Sequence, residues 1–330
     1  MAELVKITDS NRPTALLIGL TLLLLVPGNS AVSHADEGDA RLRKRIAELE
    51  AENRSLRGII AAIQNSLASV PPATIASTKG QGLRILVAPG EWGGSQLADI
   101  KKVCESTGGT ITAQLTDDGF APILVQRGNS GPITLYKRGA GNEHIVKLDT
   151  GSKAWAQCAF QFAHEFCHIV CNYRDARNPQ KWFEETLCEC ASLYALRRMA
   201  VEWKTNAPYS NWKSYSASLA SYSDDRINKY AGRRQSLAQF YTASRTELEK
   251  TATNRELNTY IAVKLLPHFE KNPKAWQALR YLNLGPVSEN TSFQTYLTGW
   301  HARVPKEHQL FIRQIATEFG VRLSAATRAD

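Results

Sequence analysis

The 330-residue chain carries 43% hydrophobic and 22% charged residues, which excludes a disordered chain and one wholly embedded in a membrane. Forty Lys and Arg against 31 Asp and Glu give +9, but the excess is spread out and forms no aromatic-interleaved basic stripe. Nucleic acid is therefore not an expected partner, and the length allows one large domain or two ordinary ones.

In chain order, the first signal is ALLIGLTLLLLVPG (15–28), an apolar run behind Lys6 and Arg12. It is short for a span of ~20 residues but suits the central region of a secretory signal, and Ser33-His34-Ala35 offers small residues around a cleavage point. The expectation is a signal peptide over 1–35, or an N-terminal anchor associated with the membrane through 15–28. Either form makes the protein exported, periplasmic or secreted.

Residues 38–68 read as a coiled coil. Leu42, Leu49, Leu56 and Ile63 fall at d positions and Ile46, Asn53, Ile60 and Leu67 at a. Ile at a with Leu at d favours a parallel two-stranded coil, and one Asn at a fixes its register. A homodimer through 42–67 is expected; the alternative is one amphipathic helix lying on the globular part. SVPPATIASTKGQG (69–82) then reads as a linker.

From 83 the pattern becomes strand-like. LRILVAP, TITAQL, APILVQ, PITLYK and HIVKLD are short β-type runs, and GSQLADIKKVCESTGG (94–109) between the first two reads as a helix ending at Gly108-Gly109. This predicts a small mixed sheet with one crossover helix. Helical patterns follow at 153–172, 181–204, 208–230, 234–250, 254–270, 273–283 and, with breaks, 292–320. The fold class is α+β, with a catalytic domain over 83–204 and a helical C-terminal region over 205–330.

The helix at 153–172 contains His164-Glu165-Phe166-Cys167-His168. Histidines four apart project from one helix face and can share one ion, while Glu165 lies beside that face, where a carboxylate can take a proton from a zinc-activated water. The alternative is a packed helix whose histidines are satisfied by neighbours. A third ligand is available from NPQKWFEETLCECASLYAL (178–196), with Glu184 and Glu185 in the first turn of the next helix and Glu189 one turn beyond Glu185.

This combination resembles the gluzincin peptidases, the thermolysin and zinc-aminopeptidase group, and WFEE is similar to the aminopeptidase pattern that ends in the ligand glutamate. The resemblance implies Zn2+ held by His164, His168 and Glu185, with Glu165 as general base. It also implies that Glu189 orients a ligand histidine, and that pairing favours Glu185 over Glu184 as ligand. The 17 positions from His168 to Glu185 are fewer than is usual there, and no aminopeptidase exopeptidase motif is present. Covering about residues 144–200, the likeness is to zincin-like proteins generally, above all exported bacterial ones without assigned substrates. It also implies that a sheet edge holds an extended peptide, for which EHIVKLD (143–149) is the candidate.

An oxyanion donor is not singled out among Tyr230, Tyr241, Tyr260, His268, Tyr281 and His301. The six cysteines of an exported chain suggest disulfides, and a bridge from Cys167 or Cys171 to Cys188 or Cys190 would staple the two ligand helices; buried free thiols are the alternative. The expected function is zinc-dependent hydrolysis of a peptide or protein substrate. The alternative is a catalytically silent zincin-like scaffold that binds a partner in the cell envelope.

Overall fold

The computed structural model describes residues 40–54, 83–116 and 119–324. The expected signal peptide, the linker and the C-terminal half of the heptad pattern lie outside these residues. Residues 40–54 are helical and exposed along their whole length, with Leu42, Ile46 and Leu49 among the exposed apolar side chains. Thr74–Asp330 forms one compact unit separate from Met1–Ala73, so the catalytic and C-terminal regions expected from sequence share a single body.

That body is α+β. Its sheet contains β1 (Ile85–Val87), β2 (Ile123–Arg127), β3 (Ile133–Thr134) and β4 (His144–Leu148) in the order β1-β2-β4-β3. β1 and β2 are parallel, joined through the helix α1 (Leu97–Thr112); β2 and β4 are parallel, and β3 pairs antiparallel with β4. Thus β4 is paired on both sides. The edge expected at 143–149 is instead β3, a two-residue strand held by Ile133 opposite Lys147 and Thr134 opposite Val146.

TITAQL is the other departure, because α1 runs through Gly108-Gly109 to Thr112. Thr110 and Ile111, which suggested a strand, are buried in its last turn, and the Thr107 and Thr110 hydroxyls donate to Val103 O and Thr107 O, both at 2.7 Å. Gly108 stays helical because a neighbour needs the room: a Cβ there would come within 2.2 Å of Leu83 Cδ1. Packing overrides propensity at this helix end.

Two helices carry the centre of the molecule. α2 (Trp155–Val170) lies against β3, β4 and α1, and its end is set by Asn172 in the left-handed region at φ 54°, a conformation asparagine tolerates after a helix. Gln161 fixes α2 to the end of β4 by accepting from Asp149 N (2.9 Å) and donating to Asp149 O (3.1 Å). α3 (Lys181–Asn206) is buried around most of its circumference and forms the hub.

Around α3 pack a 3₁₀ segment (Ser210–Tyr215), α4 (Ser216–Ala231), α5 (Leu237–Lys250) and α6 (Arg255–Lys271). A second 3₁₀ stretch (Pro273–Tyr281), α7 (Phe293–Arg303) and α8 (Lys306–Glu318) complete the unit. Trp182 and Phe183, just ahead of Glu184 and Glu185, are fully buried against Phe293 at ring-centroid distances of 4.9 and 5.2 Å. Deleting a buried ring of this kind costs ~3–5 kcal/mol, so this cluster is a firm anchor for the first turn of α3.

Candidate metal centre and its cleft

α2 and α3 bring His164, His168, Glu184, Glu185 and Glu189 together on one wall of a cleft of about 670 Å³. Ser192 on α3 donates to Phe160 O on α2 at 2.8 Å, fixing the two helices in register one turn from the histidines. Glu185 faces both imidazoles, with Oε2 3.2 Å from His164 Nε2 and Oε1 3.7 Å from His168 Nε2. Ligands of a tetrahedral ion at bond lengths of 2.0–2.1 Å stand about 3.3 Å apart, close to each of these separations, although the two imidazoles meet different oxygens of the carboxylate.

The opposite ring nitrogens face acids. His168 Nδ1 is 2.6 Å from Glu184 Oε1, and His164 Nδ1 is 3.8 Å from Glu189 Oε2. An ionised carboxylate can only accept, so the Glu184 contact places a proton on His168 Nδ1 and turns Nε2 toward Glu185. Glu184 is itself held by Asn283, whose Nδ2 donates to Oε2 at 2.8 Å, and the buried Tyr296 hydroxyl donates to Asn283 Oδ1 at 2.8 Å. Thr259 on α6 donates to Glu189 Oε1 at 2.8 Å.

The expected base, Glu165, is buried and lines the same cleft. Its Oε2 lies 2.8 Å from Thr134 Oγ1 on the edge strand, and the same hydroxyl is 3.0 Å from Glu165 O. One hydroxyl proton serves one of these acceptors at a time, so the carboxylate is positioned without being permanently occupied.

The electrostatics follow from burying acids beside imidazoles. For His168 burial alone would lower the pKa, but the hydrogen bond and charge of Glu184, with Glu185 and Glu165, raise it to about 10. His164 is likewise raised, burial being outweighed by the Glu185 hydrogen bond and Glu165. Glu185 is held down at about 2: burial would raise it, but the His164 hydrogen bond and the charges of His168, His164 and Lys181 prevail. Four carboxylates, Glu165, Glu184, Glu185 and Glu189, thus surround two imidazoles and form a negative nest that favours a cation of either kind, proton or metal.

His164, His168 and the buried Cys188 also form a compact group that could hold a metal ion, with one ligand atom from each all within 4.8 Å of one another. All six cysteines are buried free thiols, which corrects the disulfide expectation. Cys167 and Cys171 do approach, but their sulfurs stand 4.0 Å apart on consecutive turns of one helix, well beyond the ~2 Å of a bond. Cys188 packs with them, and burial pushes its thiol well above the ordinary range.

None of the tyrosines and histidines considered as oxyanion donors lines the cleft. Tyr230, Tyr241 and Tyr260 are core residues, while His268 and His301 face Glu318 and Arg313. The tyrosines that do line it are Tyr136, Tyr173 and Tyr222, with Lys181, Arg226 and Arg255 as its cations. Tyr173 is committed to Leu135 O at 2.5 Å. Sequence reasoning missed Thr134, Asn283 and, behind Asn283, Tyr296, since no local pattern marks a residue that reaches the centre from 31 or 99 positions away.

Comparison with known proteins returned no match among family models, curated proteins or solved structures. The functional reading therefore stands on the site itself.

Proposed function

We propose that the chain is a zinc-dependent peptidase whose metal is held by His164, His168 and Glu185. The observation that carries this reading is the single carboxylate of Glu185 facing both imidazole Nε2 atoms, at 3.2 and 3.7 Å, while His168 Nδ1 is bonded to Glu184 and His164 Nδ1 faces Glu189 at 3.8 Å. Cys188 is the less suitable third ligand, because its thiol is buried among two others and is hard to ionise. Two imidazole nitrogens and one carboxylate, with an open cleft in front, match an open zinc site better than a closed structural one.

Bound there, Zn2+ supplies a Lewis acid for the carbonyl under attack and for the attacking water. Glu165, beside the histidine face, accepts the proton of that water and hands it to the departing amine. Thr134 holds the Glu165 carboxylate toward the cleft from the edge strand, and Glu184 and Glu189 keep the imidazoles turned. The edge of β3, unpaired among the described residues and with Ile133 and Thr134 lining the cleft, is suited to hold an extended peptide beside them.

Export and self-association complete the reading. The 15–28 apolar run supports delivery to the periplasm or exterior by a signal or anchor, and the heptads support a parallel dimer.

The test combines elemental mass spectrometry with turnover. About one zinc per chain is expected, lost in His168→Ala and kept in Glu165→Gln, which should abolish peptide hydrolysis while leaving the fold intact. Full hydrolysis by Glu165→Gln would refute its role as base. Absence of zinc after loading would favour the partner-binding scaffold.

A further inference from the structure

One wall of the cleft remains without an assigned task. Arg226, on α4, lines it, and its guanidinium carbon sits 3.7 Å from the Tyr222 ring centre and 4.6 Å from that of Phe160. Phe160 lies four residues before His164, so on α2 the two side chains share a face about 6 Å apart along the axis. The stacking fixes the planar fork beside the histidines, where an arginine loses little further freedom on binding. Arg255, the first residue of α6, faces the same cleft, as does Thr253.

The charges of the cleft are unevenly matched. Each acid has its own partner: Glu165 has Thr134, Glu184 has His168 and Asn283, Glu185 has His164, and Glu189 has Thr259. Arg226 donates Nη1 to Tyr222 O at 3.1 Å, and neither it nor Arg255 has a carboxylate within 4.0 Å among the described residues. A half-buried arginine whose guanidinium rests against two rings in a cleft, bonded only to Tyr222 and with donors to spare, is built to receive a planar anion in two-pronged fashion.

We infer that Arg226, assisted by Arg255, forms a carboxylate-binding subsite that selects peptides bearing a carboxylate within about two residues of the cleaved bond, an extended residue spanning ~3.3–3.6 Å. The carboxylate is the shared chemistry of a peptide C-terminus and of an Asp or Glu side chain. This deepens the peptidase reading and rests on it, but its test does not require turnover.

The experiment is fluorescence anisotropy on the zinc-loaded full chain with labelled random hexapeptide pools. One pool lacks Asp and Glu and ends in an amide; a second is the same with a free C-terminus; a third is amidated but contains Asp and Glu. A carboxylate-bearing pool should bind about tenfold tighter than the neutral pool, the scale of a charge-assisted pair. Preference for the second pool assigns the C-terminus, and preference for the third assigns an acidic side chain. Arg226→Met, which keeps an unbranched stem over the rings, should erase the discrimination while zinc content and the circular dichroism spectrum stay unchanged. Arg226→Lys should keep part of it.

Equal binding of all pools, absence of binding by every pool, or undiminished discrimination in Arg226→Met would overturn the subsite. Loss of the peptidase reading would look different: zinc fails to load, or Glu165→Gln keeps full activity.

Discussion

Glu184 and Glu185 are consecutive, yet they reach opposite nitrogens of the same imidazole, Nδ1 of His168 at 2.6 Å and Nε2 at 3.7 Å. Being adjacent on α3, they diverge by about 100°, so one carboxylate can sit behind the ring and the other in front of it. Removing the one behind should loosen the metal without deleting a ligand. Glu184→Gln is expected to weaken zinc about 10- to 100-fold, and Asn283→Ala to act in the same direction more weakly, both read by competition with a chromophoric chelator. Glu185→Ala should lose stoichiometric zinc altogether. If Glu184→Gln proved the more damaging change, the ligand and the orienting acid would have to exchange roles.

At the level of elements, β4 illustrates a penalty that position imposes. His144 opens this interior strand, buried, with Nδ1 lacking any partner among the described residues. Burial, aided by the charge of Arg138, pushes it down to about 4. An unfolded histidine titrates near 6.5, so between these values the unfolded chain binds the extra proton. The resulting stability is complete above ~6.5 and drains away as pH falls toward 4, by about 2–3 kcal/mol. His144→Leu should lack that loss when urea unfolding is compared at pH 7 and pH 4.5; parallel curves for the two proteins would reject the account. The same strand shows what sequence can and cannot supply. HIVKLD was legible as a strand because alternation is local, but its interior place was not, because pairing with β3 depends on a loop whose path no periodicity encodes. His164 and His168 share a cleft for the same local reason, helical spacing, whereas Glu185 was singled out only by the resemblance of WFEE to the aminopeptidase pattern. The strand expected at TITAQL failed because Thr110 and Ile111 are buried in the last turn of α1, where packing outweighs the β preference of Thr and Ile. Asn283, Tyr296 and Arg226 belong to the centre only through the way the later helices wrap α3.

At the scale of the whole molecule, the cleft and the heptad pattern fall in different units. The compact unit Thr74–Asp330 contains every residue assigned to the metal and the cleft, whereas the heptad pattern lies in Met1–Ala73. Leu42, Ile46 and Leu49 are 60, 47 and 43% exposed, an apolar stripe that a single chain leaves in water and that a second copy would cover. The full chain is expected to sediment as a dimer at micromolar concentration, and Ile46→Asp with Leu49→Asp to sediment as a monomer, since two buried like charges per strand are intolerable in a two-stranded seam. Zinc per chain should be the same in both, because no ligand comes from the coil. A wild-type chain that remains monomeric at tens of micromolar would discard the coil, while a monomeric variant that also lost zinc would mean the two bodies are coupled. Unchanged zinc with altered assembly is the outcome this division requires: the coil would then govern how many clefts are presented together, and the α2–α3 pair alone what each of them does.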